Sequence, residues 1–115
     1  MLKKLPELVV EARKGLNVLT AQEAREKRNA IGGIILDVRE TEEFNKHSVK
    51  DVVHIPRGVL EGKMLTTYGD ETMPIFIHCA GGVRATFAAE QLVKLGYKQV
   101  WVISCKVDEV IKSFT

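Results

Sequence analysis

The chain has 115 residues, room for one domain built around one core. Its hydrophobic share of 45% and charged share of 28% are those of a soluble globule, and no apolar run nears the ~20 residues that cross a bilayer, so no membrane is expected as a partner. The 17 basic residues are interleaved with 15 acidic ones for a net charge of +2, with no basic stripe to bind nucleic acid.

In chain order, residues 5–12 read as a short terminal helix. Lys3 and Lys4 precede it as in a secretory leader, but Glu7, Glu11, Arg13 and Lys14 break up any apolar stretch, which predicts a cytoplasmic protein. Residues 16–19 read as a first strand. Residues 21–29 read as a helix, because Thr20 and Glu23 have the spacing of a capping box. Three short runs, Ile34-Ile35-Leu36, residues 74–77 and residues 100–103, are apolar on both faces, as in a parallel sheet covered on both sides. Residues 52–55, before Pro56, read as a further strand. Residues 84–95 carry Ala85, Ala88, Ala89, Leu92 and Leu95 on one helical stripe, and Gly96 supplies the stop. Residues 107–113 read as a closing helix. Strands and helices alternate throughout, without repeat or linker, so the class is α/β in a single domain over 1–115.

The chemistry is expected at Cys79-Ala80-Gly81-Gly82-Val83-Arg84, where a cysteine ends an apolar strand and a helix begins. Ligand sites of such sheets lie at the carboxyl ends of the strands, which is where Cys79 falls. No Ser, Thr, Asp or Asn between Cys79 and Arg84 offers the first helical turn a side-chain cap. Gly81 and Gly82 permit backbone angles that turn successive amides inward, so the natural cap is an anion. The Cys79 sulfur, as thiolate or persulfide, is placed to supply it. Four residues separate Cys79 from Arg84, one fewer than in the Cys-x5-Arg loop of cysteine phosphatases. The smaller bowl suits one extra sulfur atom better than a tetrahedral phosphate, although a phosphatase or arsenate reductase of related fold remains an alternative.

Four segments in this order resemble the rhodanese-like sulfurtransferases. They are Leu36-Asp37-Val38-Arg39-Glu40 with Glu43-Phe44; His54-Ile55-Pro56; the Cys79 to Arg84 loop after Ile77-His78; and the stretch ending in Leu95-Gly96-Tyr97. The resemblance implies a five-stranded parallel sheet flanked by helices on both faces and a ping-pong reaction without cofactor or metal. Cys79 would take a sulfane sulfur from a donor such as thiosulfate, becoming a persulfide, and pass it to cyanide or a thiol. Ala80, Gly81, Gly82, Val83 and Arg84 would bind the persulfide, with Arg84 adding charge for an anionic donor. The second reading is a persulfide carrier that hands sulfur to a relay protein and turns over little free thiosulfate. The chain departs from the family where His47-Ser48 replaces a Gly-His pair, where Ala85 replaces the Ser or Thr that follows the loop arginine, and where Ser104-Cys105-Lys106 replaces a Gly-Gly. Two secondary residues are singled out. Arg57 follows the His-Ile-Pro turn and could border the pocket. Cys105 follows the last core strand at the same sheet edge as Cys79 and could resolve a persulfide. A small domain of balanced charge is expected to be a monomer or weak dimer.

Overall fold

The three doubly apolar runs become the middle of a sheet. The computed structural model describes residues 1–115. Its elements run α1 (Leu5–Arg13), β1 (Asn17–Leu19), α2 (Ala21–Ile31), β2 (Ile34–Asp37), α3 (Thr41–Lys46), β3 (Val53–His54), a 3-10 turn (Arg57–Val59), α4 (Leu60–Thr67), β4 (Ile75–His78), α5 (Val83–Leu95), β5 (Val100–Ile103) and α6 (Val107–Ser113). All five strands pair in parallel, in the order β1-β5-β4-β2-β3. This is the α/β architecture that the sequence predicts.

Strand alternation divides the core in two. Ile75 and Ile77 of β4 face one side, with Leu36, Val100 and Val102, and meet Leu60 and Met64 of α4 and Ala85, Ala88, Ala89 and Leu92 of α5. Phe76 faces the other side, with Ile35 and Ile103, and meets Ala21 and Ala24 of α2 and Val110 of α6. α1 packs on the outside of α5. No helix is long and apolar enough to cross a membrane.

Local signals set the ends of the elements. The Thr20–Glu23 capping box starts α2 in both its bonds. Gly96, at φ 115, stops α5. Gly33, at φ 100, lets β2 begin against Pro74, whose carbonyl oxygen lies only 2.2 Å from where a Cβ would stand. The structure also contains elements that the sequence reading passes over: α3, α4 and the 3-10 turn. α5 begins one residue earlier than expected, at Val83.

The topology places the crevice. The chain leaves β2 toward β3 and leaves β4 toward β5, so the segments after these two neighbouring strands diverge. That divergence, at the carboxyl ends of β2 and β4, is where a sheet of this kind binds ligand.

Candidate active site

Cys79 follows β4 at this switch point, and Glu43 stands on α3, which follows β2. Cys79 is a free thiol, 1% exposed, on the α4/α5 side of the sheet. Its Sγ accepts the backbone N–H of Gly82 at 3.1 Å and of Ala85 at 3.4 Å. Gly82 is the N-cap of α5, at φ 100, and has no side chain to cap with. The sulfur therefore occupies the position that a capping oxygen would take. Oriented amides at a helix start favour negative charge on whatever they surround.

Residues distant in sequence hold the loop in shape. The Thr86 hydroxyl donates to the Gly82 carbonyl at 2.7 Å and accepts from Arg13 Nε at 3.0 Å. A Cβ on Gly82 would come within 2.7 Å of the Arg13 guanidinium and 3.3 Å of the Ser104 carbonyl oxygen. The Val107 N–H donates to the Ala80 carbonyl. Sequence reasoning missed both Arg13 and Thr86. The hydroxyl that position 85 lacks stands on the next residue, Thr86, whose spacing of four from Gly82 is legible. Nothing local points to Arg13.

Arg84 is not a free cation. Its two terminal nitrogens donate to the two Glu43 carboxylate oxygens at 2.6 and 2.9 Å, a bidentate pair about one-third exposed on each side. The Arg84 bond holds the Glu43 carboxyl down at about 2 against the partial burial that raises it. Glu43 likewise holds the Arg84 guanidinium above its ordinary value. Arg57 is paired as well, donating from Nη1 to Glu61 Oε1 at 2.8 Å. Ala80, Gly81 and Val83 are exposed on the loop surface.

Cys105 lies at the same sheet edge as Cys79 but on the opposite face. It packs with Ile103 and Val110, and its Sγ accepts the Ala21 N–H at 3.2 Å, at the start of α2. The structure does not bring the two sulfurs together on one side of the sheet.

Beneath the crevice lies a buried polar group. Arg39 donates to both Asp37 oxygens, from Nε at 3.1 Å and Nη2 at 2.8 Å, and from Nη2 to the His47 carbonyl at 2.9 Å. His78, fully buried, has its Nε2 at 3.7 Å from Asp37 Oδ2, and neither ring nitrogen has a hydrogen-bond partner. Burial pushes the His78 imidazole below 6.5, and Asp37 opposes the shift only in part. The folded state thus binds fewer protons at His78 than the unfolded chain does. The stability this confers is lost as pH falls from about 6.5 toward the depressed folded value. The urea midpoint should drop between pH 7.5 and 5.5, and His78→Gln should flatten that drop; an equal slope in the variant would place its origin elsewhere. Glu43 acts in a separate window, its contribution being lost between 4.5 and about 2.

Known proteins resemble the chain along most of its length. A family model described as the rhodanese-like domain matches residues 20–111. The chain is 42% identical over 66 residues to the "Putative sulfur carrier protein YrkF" of Bacillus subtilis, covering 57% of this chain and 35% of that one. It is 33% identical over 79 residues to the "Putative thiosulfate sulfurtransferase, mitochondrial" of Schizosaccharomyces pombe, covering 58% and 55%. It therefore spans about a third and about half the lengths of these two relatives. Among solved structures, a Rhodopseudomonas palustris protein of unknown function, described as a "possible tyrosine phosphatase", superposes with a TM-score of 0.83 at 21% identity, covering 98% of this chain and 92% of that one. At that identity the likeness concerns the fold.

Proposed function

The chain belongs to the rhodanese-like domain family, and on that premise we propose that it transfers sulfane sulfur through a persulfide on Cys79. The observation that carries this reading is the pair of amide N–H groups, from Gly82 and Ala85, directed at the Cys79 sulfur. The Cys79 thiolate attacks the outer sulfur of a donor, the donor's S–S bond breaks, and the remainder leaves with the bonding pair. For thiosulfate the leaving group is sulfite; for an organic persulfide it is a thiolate. A thiolate or cyanide acceptor then attacks the terminal sulfur of the Cys79 persulfide and releases the Cys79 thiolate. In this reading Ala80 to Arg84 form the loop around the added sulfur, with the Gly82 and Ala85 N–H groups directed at the Cys79 Sγ that bears it.

The test is intact-mass measurement after exposure to a sulfane donor. A gain of about 32 Da, mapped by peptide analysis to Cys79 and removed by cyanide or dithiothreitol, is expected. A gain confined to Cys105, or none from any donor, overturns the assignment.

A second reading is favoured by the relative named as a sulfur carrier and by the depth of the thiol, 1% exposed. There Cys79 carries sulfur for a partner protein and turns over little free thiosulfate. Loading of Cys79 without steady-state thiocyanate formation from thiosulfate distinguishes this reading.

A further inference from the structure

Of the six residues from Cys79 to Arg84, only Arg84 carries positive charge, and Glu43 takes it. This pair is not a casual surface contact. Glu43 is doubly held, since its Oε1 also accepts the Glu40 N–H at 3.0 Å in the capping box of α3. The carboxylate is thus fixed by the start of α3, and the guanidinium by its place in the first turn of α5. Both carboxylate oxygens bond the two terminal nitrogens, so an incoming anion meets a guanidinium whose charge is already balanced by a carboxylate in contact with it. The other arginines nearby are also committed. Arg39 is buried against Asp37, Arg57 is paired with Glu61, and Arg13 is turned onto Thr86 and the Gly82 carbonyl. Lys106, exposed on the segment whose backbone meets Ala80, is a hydrated ammonium on a flexible stem and is screened accordingly.

We infer that Glu43 is a specificity-determining residue: by occupying Arg84 it denies the Cys79 loop a cation for dianionic donors such as thiosulfate, and selects organic persulfides of low charge (R–S–SH) as the sulfur source. This inference rests on the Cys79 persulfide reading. A dianion approaching the loop meets the Glu43 carboxylate beside the guanidinium, and the two charges nearly cancel. A persulfide carries at most one negative charge and incurs a smaller electrostatic cost than a dianion, and Val83, exposed on the loop, offers apolar surface for its organic group. The transfer itself is balanced: Cys79 thiolate takes the outer sulfur and RS⁻ leaves.

The experiment compares thiosulfate with 2-hydroxyethyl persulfide, which carries no charge outside its sulfur, as donors to the wild type and to Glu43→Gln. The glutamine Oε1 can still accept the Glu40 N–H, so the α3 cap survives while the charge is lost. Loading of Cys79 is followed by intact mass. The expected result is a rise in kcat/KM for thiosulfate of roughly three- to thirtyfold in Glu43→Gln. Persulfide loading should change by less than about twofold, and the thiosulfate gain should shrink as salt is added. Adding Arg84→Gln to Glu43→Gln should abolish the gain. An unchanged thiosulfate-to-persulfide ratio in Glu43→Gln, with both donors still loading Cys79, overturns the inference and leaves the persulfide site standing. Failure of both donors to load wild-type Cys79 overturns the site reading and the inference with it.

Discussion

Cys79→Ser should lower the rate of sulfur transfer by more than about a thousandfold while leaving the fold unchanged. The substitution is nearly isosteric at a position 1% exposed, and the serine oxygen can still accept the Gly82 and Ala85 N–H groups. What it loses is chemistry. A thiol reaches its nucleophilic anion near neutral pH, whereas a serine hydroxyl needs an adjacent base. His78, the nearest residue of that type in sequence, belongs to β4 at the position before Cys79, and its ring is set beside Asp37 rather than directed at the sulfur. Nor can an oxygen form a link to a sulfane sulfur that is stable yet readily transferred. Thiocyanate or thiol-persulfide formation, read alongside circular dichroism, checks the point. Activity retained in a folded Cys79→Ser protein would remove Cys79 from the mechanism.

The second large effect concerns stability. Asp37→Ala should destabilise the protein by about 3–5 kcal/mol, because it strands a buried guanidinium. Arg39 is 3% exposed, and the Asp37 carboxylate receives its Nε, its Nη2 and its backbone N–H. Without the carboxylate, only the His47 carbonyl still faces that charge. For a domain of this size the melting temperature should fall by more than about 10 °C. Combining Asp37→Ala with Arg39→Met should recover part of the loss, since no charge is then left unpaired. A fall of less than about 3 °C in the single variant would mean that water reaches Arg39 and that the pair is not truly buried. The effect extends to the crevice, because the Arg39 carbonyl bonds the His54 ring, which stacks on Phe44 next to Glu43.

How far the sequence revealed this arrangement varies by element. Ile75, Phe76 and Ile77 announce a buried parallel strand because both faces must be covered. The Cys79 to Arg84 loop announces itself through the missing cap. α3 was not legible by periodicity because it buries no residue; what starts it is the Glu40–Glu43 box. α4 buries only Leu60 and Met64, four apart, in eight residues that include Gly62 and an exposed Leu65, too little for a stripe. The opposite placement of Cys79 and Cys105 was in the sequence after all. Alternation carries Ile75 and Ile77 on to Cys79 on one face, and Trp101 and Ile103 on to Cys105 on the other. By contrast, the pairing of Glu43 with Arg84 and of Arg13 with Thr86 spans 41 and 73 residues. Only the folded chain brings such partners together.

Arg13 also bears on where the working unit begins. The family match starts at residue 20, and Arg13 lies before it, on a helix that adds nothing to the sheet. A domain trimmed to the matched boundary would keep all of the Cys79 to Arg84 loop and four of the five strands, and would lose the brace behind Gly82. The boundary that sequence similarity draws is therefore narrower than the mechanical one, since a helix outside it holds the loop from behind.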